Sequence, residues 1–261
     1  MVAKTSHNDG KYMLEVRGLT MQYGQRVIQK NLNFHVLPGE VFIIMGGSGC
    51  GKSTLLHHLI GLHRPVAGEI LLAGQSLWAQ DDEQRAKLLR QIGFLYQKAG
   101  LWSSMTLAEN IALPLREYTD YSDDEVRELC ELKLALVGLA GFGHYYPAEL
   151  SGGMQKRAGL ARAIALDPKM LFFDEPSAGL DPTSAARLDD LILELRDSLE
   201  ATIVVVTHEL ASIYEIADRA IFLDAENKTI SAIGKPDELR RTCENPRVRE
   251  FLTRAGKFKG F

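Results

Sequence analysis

The 261-residue sequence predicts an α/β fold, a parallel-strand core with a helical region set into it, and three observations carry that prediction. Continuous apolar runs of strand length, "VFIIM" (41–45), "MLFFD" (170–174) and "TIVVVT" (202–207), read as buried strands. Helical segments alternate with these strands. Between about residues 100 and 165 the alternation stops and the pattern turns mostly helical, which places a helical subdomain inside the α/β order.

Composition bounds the possibilities. With 46% hydrophobic and 25% charged residues, the chain can bury one sizeable core and a smaller attached subdomain. A net charge of −4 gives no global attraction for nucleic acid. Its apolar runs fall well short of the roughly 18 residues a membrane-spanning helix needs. The opening "MVAKTSHNDGK" lacks the apolar core of a signal peptide, so residues 1–11 read as a short flexible tail. Cys50, Cys130 and Cys243 are odd in number and lack metal-ligand spacing. Cys50, in a predicted loop, reads as a free thiol suited to a reducing compartment. The expectation is a cytoplasmic globular protein.

In chain order, "YMLEVRGL" (12–19) and "NLNFHVL" (31–37) read as strands joined by the polar turn "TMQYGQRVIQK". The turn "LPGE" leads into the strand at 41–45, and helix "KSTLLHHLIGL" follows the glycine-rich stretch. "AGEILLAG" reads as a short strand pair, and "QIGFLYQ" (91–97) as a strand ending on Gln97. In the helical region, Ser122 with Glu125 three residues on is a capping-box signature. Val126, Leu129, Leu132, Leu136 and Leu139 then form one apolar stripe, read as core packing. Asp181-Pro182 starts a helix, with Asp as cap and Pro at the first helical position. After 202–207 come a helix and a hairpin from "AIFLD" and "TISAIG".

Two glycine-rich stretches carry chemistry. "GGSGCGKST" fits G-x-x-x-x-G-K-[ST] between a strand and a helix. Gly46, Gly47, Ser48, Gly49, Cys50 and Gly51 form the loop whose backbone N–H groups would face phosphates. Lys52 would reach the β- and γ-phosphates, and Ser53, followed by Thr54, would ligate Mg²⁺. Asp174 closes an apolar strand and is assigned to Mg²⁺; Glu175 is assigned to polarising the attacking water. Adjacent residues at a strand end point to opposite faces, so the pair is not expected to serve the metal alike. Gln97, at a strand end, is placed to contact Mg²⁺ or the attacking water, and His208 to reach the γ-phosphate. The second stretch, "LSGGMQKRA" (150–158), again sets glycines before a predicted helix, where an anion would bind.

"GGSGCGKST", "LSGGM", "MLFFDE", "SAGLD" and "TH", in this order, resemble the ATPase subunit of ABC transporters over roughly residues 13–235. The resemblance implies a P-loop NTPase, ABC-type nucleotide-binding domain: a mostly parallel core sheet, an antiparallel β subdomain and a helical subdomain. The domain is expected over 12–240, the helical subdomain at about 100–165, and a C-terminal extension over 241–261. In that family two subunits pack head to tail, and Ser151, Gly152 and Gly153 would hold the γ-phosphate of the partner's ATP. The resemblance makes Glu175 the catalytic base, His208 the γ-phosphate switch and Gln97 the relay to a membrane subunit. Ser177–Asp181 match the loop that crosses the dimer, and Tyr23 matches the aromatic that stacks on adenine. Met154 stands where Gln is commonest in the family.

"YQKAGLWSSMTLAENIALPLREYT", "PAELSGGMQKRAGLARAIALDP" and "NPRVREFL" are most similar to the ATPase of Mla/MCE-type lipid transport systems. That implies an inner-membrane permease, an MCE-domain protein, a small accessory subunit, phospholipid cargo and a place on the cytoplasmic face of a bacterial inner membrane. The alternatives are the ATPase of another importer or exporter, and a soluble ABC ATPase acting on nucleic acid. Relatives of the last kind carry long coiled coils, zinc-binding cysteines or paired ATPase domains, features absent from this sequence, so no nucleic-acid partner is expected. The basic end "RRTCENPRVREFLTRAGKFKGF" reads as a solvated helix and tail, or as a segment packing across the dimer or on an accessory subunit.

Overall fold

The computed structural model describes residues 12–253. The tail expected at 1–11 and the end of the extension, 254–261, lie outside the described residues. Strands β1 (Leu14–Tyr23) and β2 (Arg26–Val36) lead to β3 (Val41–Gly46) and helix α1 (Lys52–Leu59). Then come β4 (Ala67–Leu72), β5 (Gln75–Ser76), α2 (Asp82–Leu89) and β6 (Ile92–Leu95). The helical region holds α3 (Leu107–Tyr118), α4 (Asp123–Leu136) and α5 (Gly152–Ala163). The chain returns through β7 (Met170–Asp174), α6 (Pro182–Leu199), β8 (Thr202–Val206), α7 (Leu210–Ile216), β9 (Arg219–Asp224) and β10 (Thr229–Gly234). Helices α8 (Pro236–Thr242) and α9 (Pro246–Thr253) follow.

The strands form two sheets. One is antiparallel, in the order β2-β1-β4-β5. The other runs β10-β9-β3-β8-β7-β6, parallel except for the β9–β10 hairpin. Its continuous apolar strands follow from cover on both faces. Val41, Ile43 and Met45 of β3 face the core shared with the helices, while Phe42 and Ile44 face the core shared with the antiparallel sheet. Full burial of one such side chain contributes roughly 1.5–3 kcal/mol, so this sheet is the rigid base for whatever its strand ends carry. Register aligns those ends. Val206 of β8 pairs with Ile44 of β3 on one side and with Asp174 of β7 on the other.

Several sequence expectations are revised. The polar stretch 20–30 is not a long turn: β1 and β2 continue through it to a tight reversal between Tyr23 and Arg26. Most of its polar side chains belong to the solvated side of an antiparallel ribbon, whereas Gln29 is buried, its Nε2 donating to the carbonyls of Cys50 at 2.7 Å and Asp224 at 3.0 Å. Helix α2 has no marked apolar stripe to announce it; Asp81 caps it by accepting from Gln84 N at 2.8 Å. On α4 the expected capping box forms at Ser122 and Glu125, but Leu132 is exposed. Cys130, Lys133 and Leu134 take the buried positions beside Val126, and Leu139 lies beyond the helix end. Gln97 and His208 do not end strands; each sits two residues beyond one, in a loop. Helix α9 is not a solvated helix, for Val248 and Leu252 are fully buried in the main core and Tyr214 donates to the Leu252 carbonyl at 2.8 Å.

Candidate nucleotide site

At the aligned strand ends lies a cavity of about 890 Å³, lined by Gly46–Gly49 and Gly51–Thr54 together with Gln97, Glu175 and His208. The loop needs its glycines for its own geometry. Gly46 has φ +152°, and a Cβ there would lie 2.6 Å from the Leu223 carbonyl oxygen. Gly51 has φ +101°, with a Cβ position 2.7 Å from the Ile28 side chain on β2. Such backbone is strained for any other residue. Helix α1 starts at Lys52, so its unpaired N–H groups and positive dipole end lie at the loop. The Lys52 ammonium donates to the carbonyls of Gly46 at 3.0 Å and Gly47 at 3.3 Å.

Ser53 Oγ donates to Asp174 Oδ1 at 3.0 Å, joining the start of α1 to the end of β7. Glu175 leaves the strand with φ +48°, and its N–H donates to the Val206 carbonyl at 2.8 Å. That left-handed turn, rather than strand alternation, separates the two acids: Asp174 meets the loop serine, and Glu175 faces the cavity. His208 Nδ1 lies 2.8 Å from the Glu175 carboxylate, which is itself nearly buried. Cys50 is buried rather than exposed in its loop, and burial pushes its thiol up, away from reactivity.

Other expected residues stand elsewhere. Tyr23 is half exposed at the β1–β2 reversal, its ring edge-on to His63 with centroids 6.1 Å apart, and it does not line the cavity. Ser151, Gly152 and Gly153 are also outside it. Ser151 caps α5, its Oγ accepting from Met154 N at 3.3 Å. Ser151, Gly153 and Met154 line a separate cavity of about 550 Å³ beside Arg157 and Leu180. In the loop 177–181, Ser177 is buried and Asp181 caps α6 by accepting from Ser184 N at 3.0 Å.

Sequence reasoning passed over several residues at this site, among them Phe251 and Lys156. Phe251 of α9 reaches the cavity wall, packed edge-on against Phe222. Lys156 of α5 is buried, and its ammonium donates to the Gln97 carbonyl and, at 3.3 Å, to the Glu175 carbonyl. Burial pushes its pKa down, against the pull of Asp174 and Glu175. No local signal marks either residue, because both placements come from tertiary packing.

A glycine loop opening a helix, a carboxylate on the loop serine and a glutamate–histidine pair in the loops just beyond two parallel strands define a P-loop nucleotide-binding domain. Comparison narrows the class. The family described as ABC transporter matches residues 29–178, and the chain belongs to that family. It is 40% identical over 239 residues to the probable ribonucleotide transport ATP-binding protein mkl of Mycobacterium tuberculosis, which covers 92% of this chain but only 66% of that relative. It is also 40% identical over 240 residues to the intermembrane phospholipid transport system ATP-binding protein MlaF of Haemophilus influenzae, covering 92% of this chain and 90% of the relative. For MlaF of Escherichia coli the identity is 39%, over 92% and 88%. Among solved structures, cbiO1 from Clostridium perfringens, part of the ABC transporter complex cbiONQ, superposes with a TM-score of 0.80 at 27% identity, over 95% of this chain and 97% of that one. The dimeric post-hydrolysis structure of the ATP-binding cassette MJ0796 with ADP and Pi gives 0.77 at 31% identity, over 85% and 98%.

Proposed function

We propose that the chain is the ATP-hydrolysing subunit of a membrane transport system, working as a head-to-tail dimer with two ATP at the interface. The observation that carries this reading is the convergence, in one cavity, of Lys52, Ser53 and the Glu175–His208 pair, with Asp174 joined to it through the Ser53 hydroxyl. Lys52 and the N–H groups around it bind the phosphates, and Tyr23 offers its exposed ring to adenine. Glu175 takes the proton of the attacking water. His208 fixes the orientation of that carboxylate and reaches toward the γ-phosphate. The Ser53 hydroxyl beside the Asp174 carboxylate supplies hard oxygen donors that fit Mg²⁺, with Gln97 across the cavity. When bound, the ion neutralises charge on the phosphates.

The dimer is supported by the second glycine pair. A Cβ on Gly152 or Gly153 would meet nothing closer than 3.9 Å, so this fold does not itself require glycine there. Close approach of a phosphate held by a second copy does, with Ser151 and the α5 dipole completing the grip. Glu175→Gln is the test: ATP binding is retained, turnover is abolished, and an ATP-bound dimer accumulates on size exclusion. Hydrolysis at near wild-type rate by this variant would remove Glu175 from the role of base.

A permease partner is supported by a groove of about 740 Å³ between β6 and the helical region, lined by Tyr96, Leu113, Pro114 and Tyr118. It lies next to Gln97, so a helix seated there senses the nucleotide site. No helix among the described residues is long and apolar enough to cross a membrane, which fits attachment through such a groove at the cytoplasmic face of a bacterial inner membrane. Phospholipid as cargo is supported by the MlaF relatives, named for intermembrane phospholipid transport, which this chain spans almost completely; an MCE-domain protein and a small accessory subunit are proposed on the sequence resemblance. The mycobacterial relatives named for ribonucleotide transport extend well beyond it. Isolation of the native complex in mild detergent discriminates. A permease with an MCE-domain protein and bound phospholipid supports the lipid reading, and a permease of another class overturns it.

A further inference from the structure

Helix α5 begins at the exposed Ser151–Gly153 tip and runs inward. Its inner face is joined repeatedly to the loop that follows Gln97. Lys156 donates to the Gln97 carbonyl, and Arg162 donates to the Gly100 carbonyl. Between them, a Cβ on Gly159 would lie 2.7 Å from the Ala99 carbonyl oxygen, so helix and loop backbones touch. Residues spaced by three share a helix face, and these three therefore clamp one loop to one side of α5. Lys156 alone among them also reaches the catalytic side, donating to the Glu175 carbonyl at 3.3 Å. It lies about one turn, roughly 6 Å of helix, from Gly152. An α-helix is stiff over that length, so displacement of the tip carries Lys156 with it.

We propose that Lys156 is a positioning residue that ties the tip of α5, which grips the partner's ATP, to the loops carrying Gln97 and Glu175 in its own chain. The inference rests on the ATPase reading above. Its ammonium donates to both loops, and it touches their backbones, so it sets where the Gln97 and Glu175 side chains start without contacting nucleotide. Engagement of the tip by one nucleotide is thereby reported to the other.

Lys156→Met keeps the aliphatic stem and removes the donors; Lys156→Arg restores donors and charge. MgATP hydrolysis is measured on the full-length chain within its membrane complex, with Lys52→Ala as the binding-dead control and a thermal melt on each variant. For K156M, kcat is expected to fall about tenfold or more while KM for ATP stays within about twofold, since the phosphate loop is untouched. K156R is expected to recover most of the loss. Unchanged kcat in K156M, a raised KM with unchanged kcat, or an Arg variant as poor as Met each overturns the inference while leaving the ATPase reading intact. Absence of MgATP hydrolysis by the wild type overturns both. Should K156M fail to fold, K156L, which also lacks donors, is judged by the same criteria.

Discussion

Gly46 and Gly51 sit in the loop after β3, and Gly152 and Gly153 at the start of α5. The first pair is glycine because the fold demands it: each has positive φ and a Cβ position within 3 Å of a neighbour in the same chain. The second pair has ordinary helical backbone and open space around it. Where a fold explains its glycines, a substitution damages structure and binding together. Where it does not, the glycines answer to something outside the chain. On the proposed reading, the difference separates a half-site that each subunit completes for itself from one it offers to another.

The largest expected effect follows from the first pair. Gly51→Val forces a branched side chain against Ile28 in a left-handed backbone, and it should lower stability by about 2–4 kcal/mol and abolish nucleotide binding. Urea unfolding and a nucleotide titration read both losses. Gly153→Ala should do the reverse: stability within about 0.5 kcal/mol of the parent, because alanine suits a helix, with ATP turnover reduced at least about tenfold. Loss of stability in that variant would erase the contrast between the loops.

A subtler effect lies where α6, leading from the loop 177–181, meets α7, leading from His208. Buried Asp189 of α6 accepts from Ser212 Oγ of α7 at 2.7 Å. Burial, with Asp190 and Glu215 nearby, pushes its carboxyl up to about 6. A folded-state pKa above the unfolded value means the carboxylate opposes folding above about pH 6, and the penalty fades as pH falls toward the ordinary carboxylate range. Asp189→Asn should therefore melt higher than the parent at pH 8, by an amount worth about 1–3 kcal/mol, and the gap should narrow as pH falls below about 6 and close only near about pH 4. A gap independent of pH would remove the charge as its cause. The smallest effect belongs to the helical region: Ser122→Ala removes the α4 cap and should cost about 1 kcal/mol without touching nucleotide affinity.

The site was legible in the sequence to the degree that it is local. The phosphate loop, the Asp174–Glu175 pair and the helix start within 150–158 are short patterns at strand or helix ends, and local pattern is enough to place them. The parallel core was legible for the same reason, since strands covered on both faces are continuously apolar. The antiparallel ribbon was shortened in the reading because one of its sides is polar, and Leu132 was misplaced because helix spacing fixes a face but not its width. Lys156 and Phe251 were invisible. A lysine near a helix start and an aromatic near the chain end gain their meaning only from loops and strands far away in sequence.

The measurement that bears most directly on the central claim mixes two inactive subunits. A Lys52→Ala chain has a dead phosphate loop and an intact α5 tip; a Gly153→Asp chain has the converse. If each tip serves the partner's nucleotide, the mixed dimer holds one intact composite site and one doubly defective site, and ATP hydrolysis reappears on mixing. If each chain uses its own tip, every site in the mixed dimer is defective. Hydrolysis that stays at the level of either parent, with mixed dimers demonstrably formed, would contradict the account.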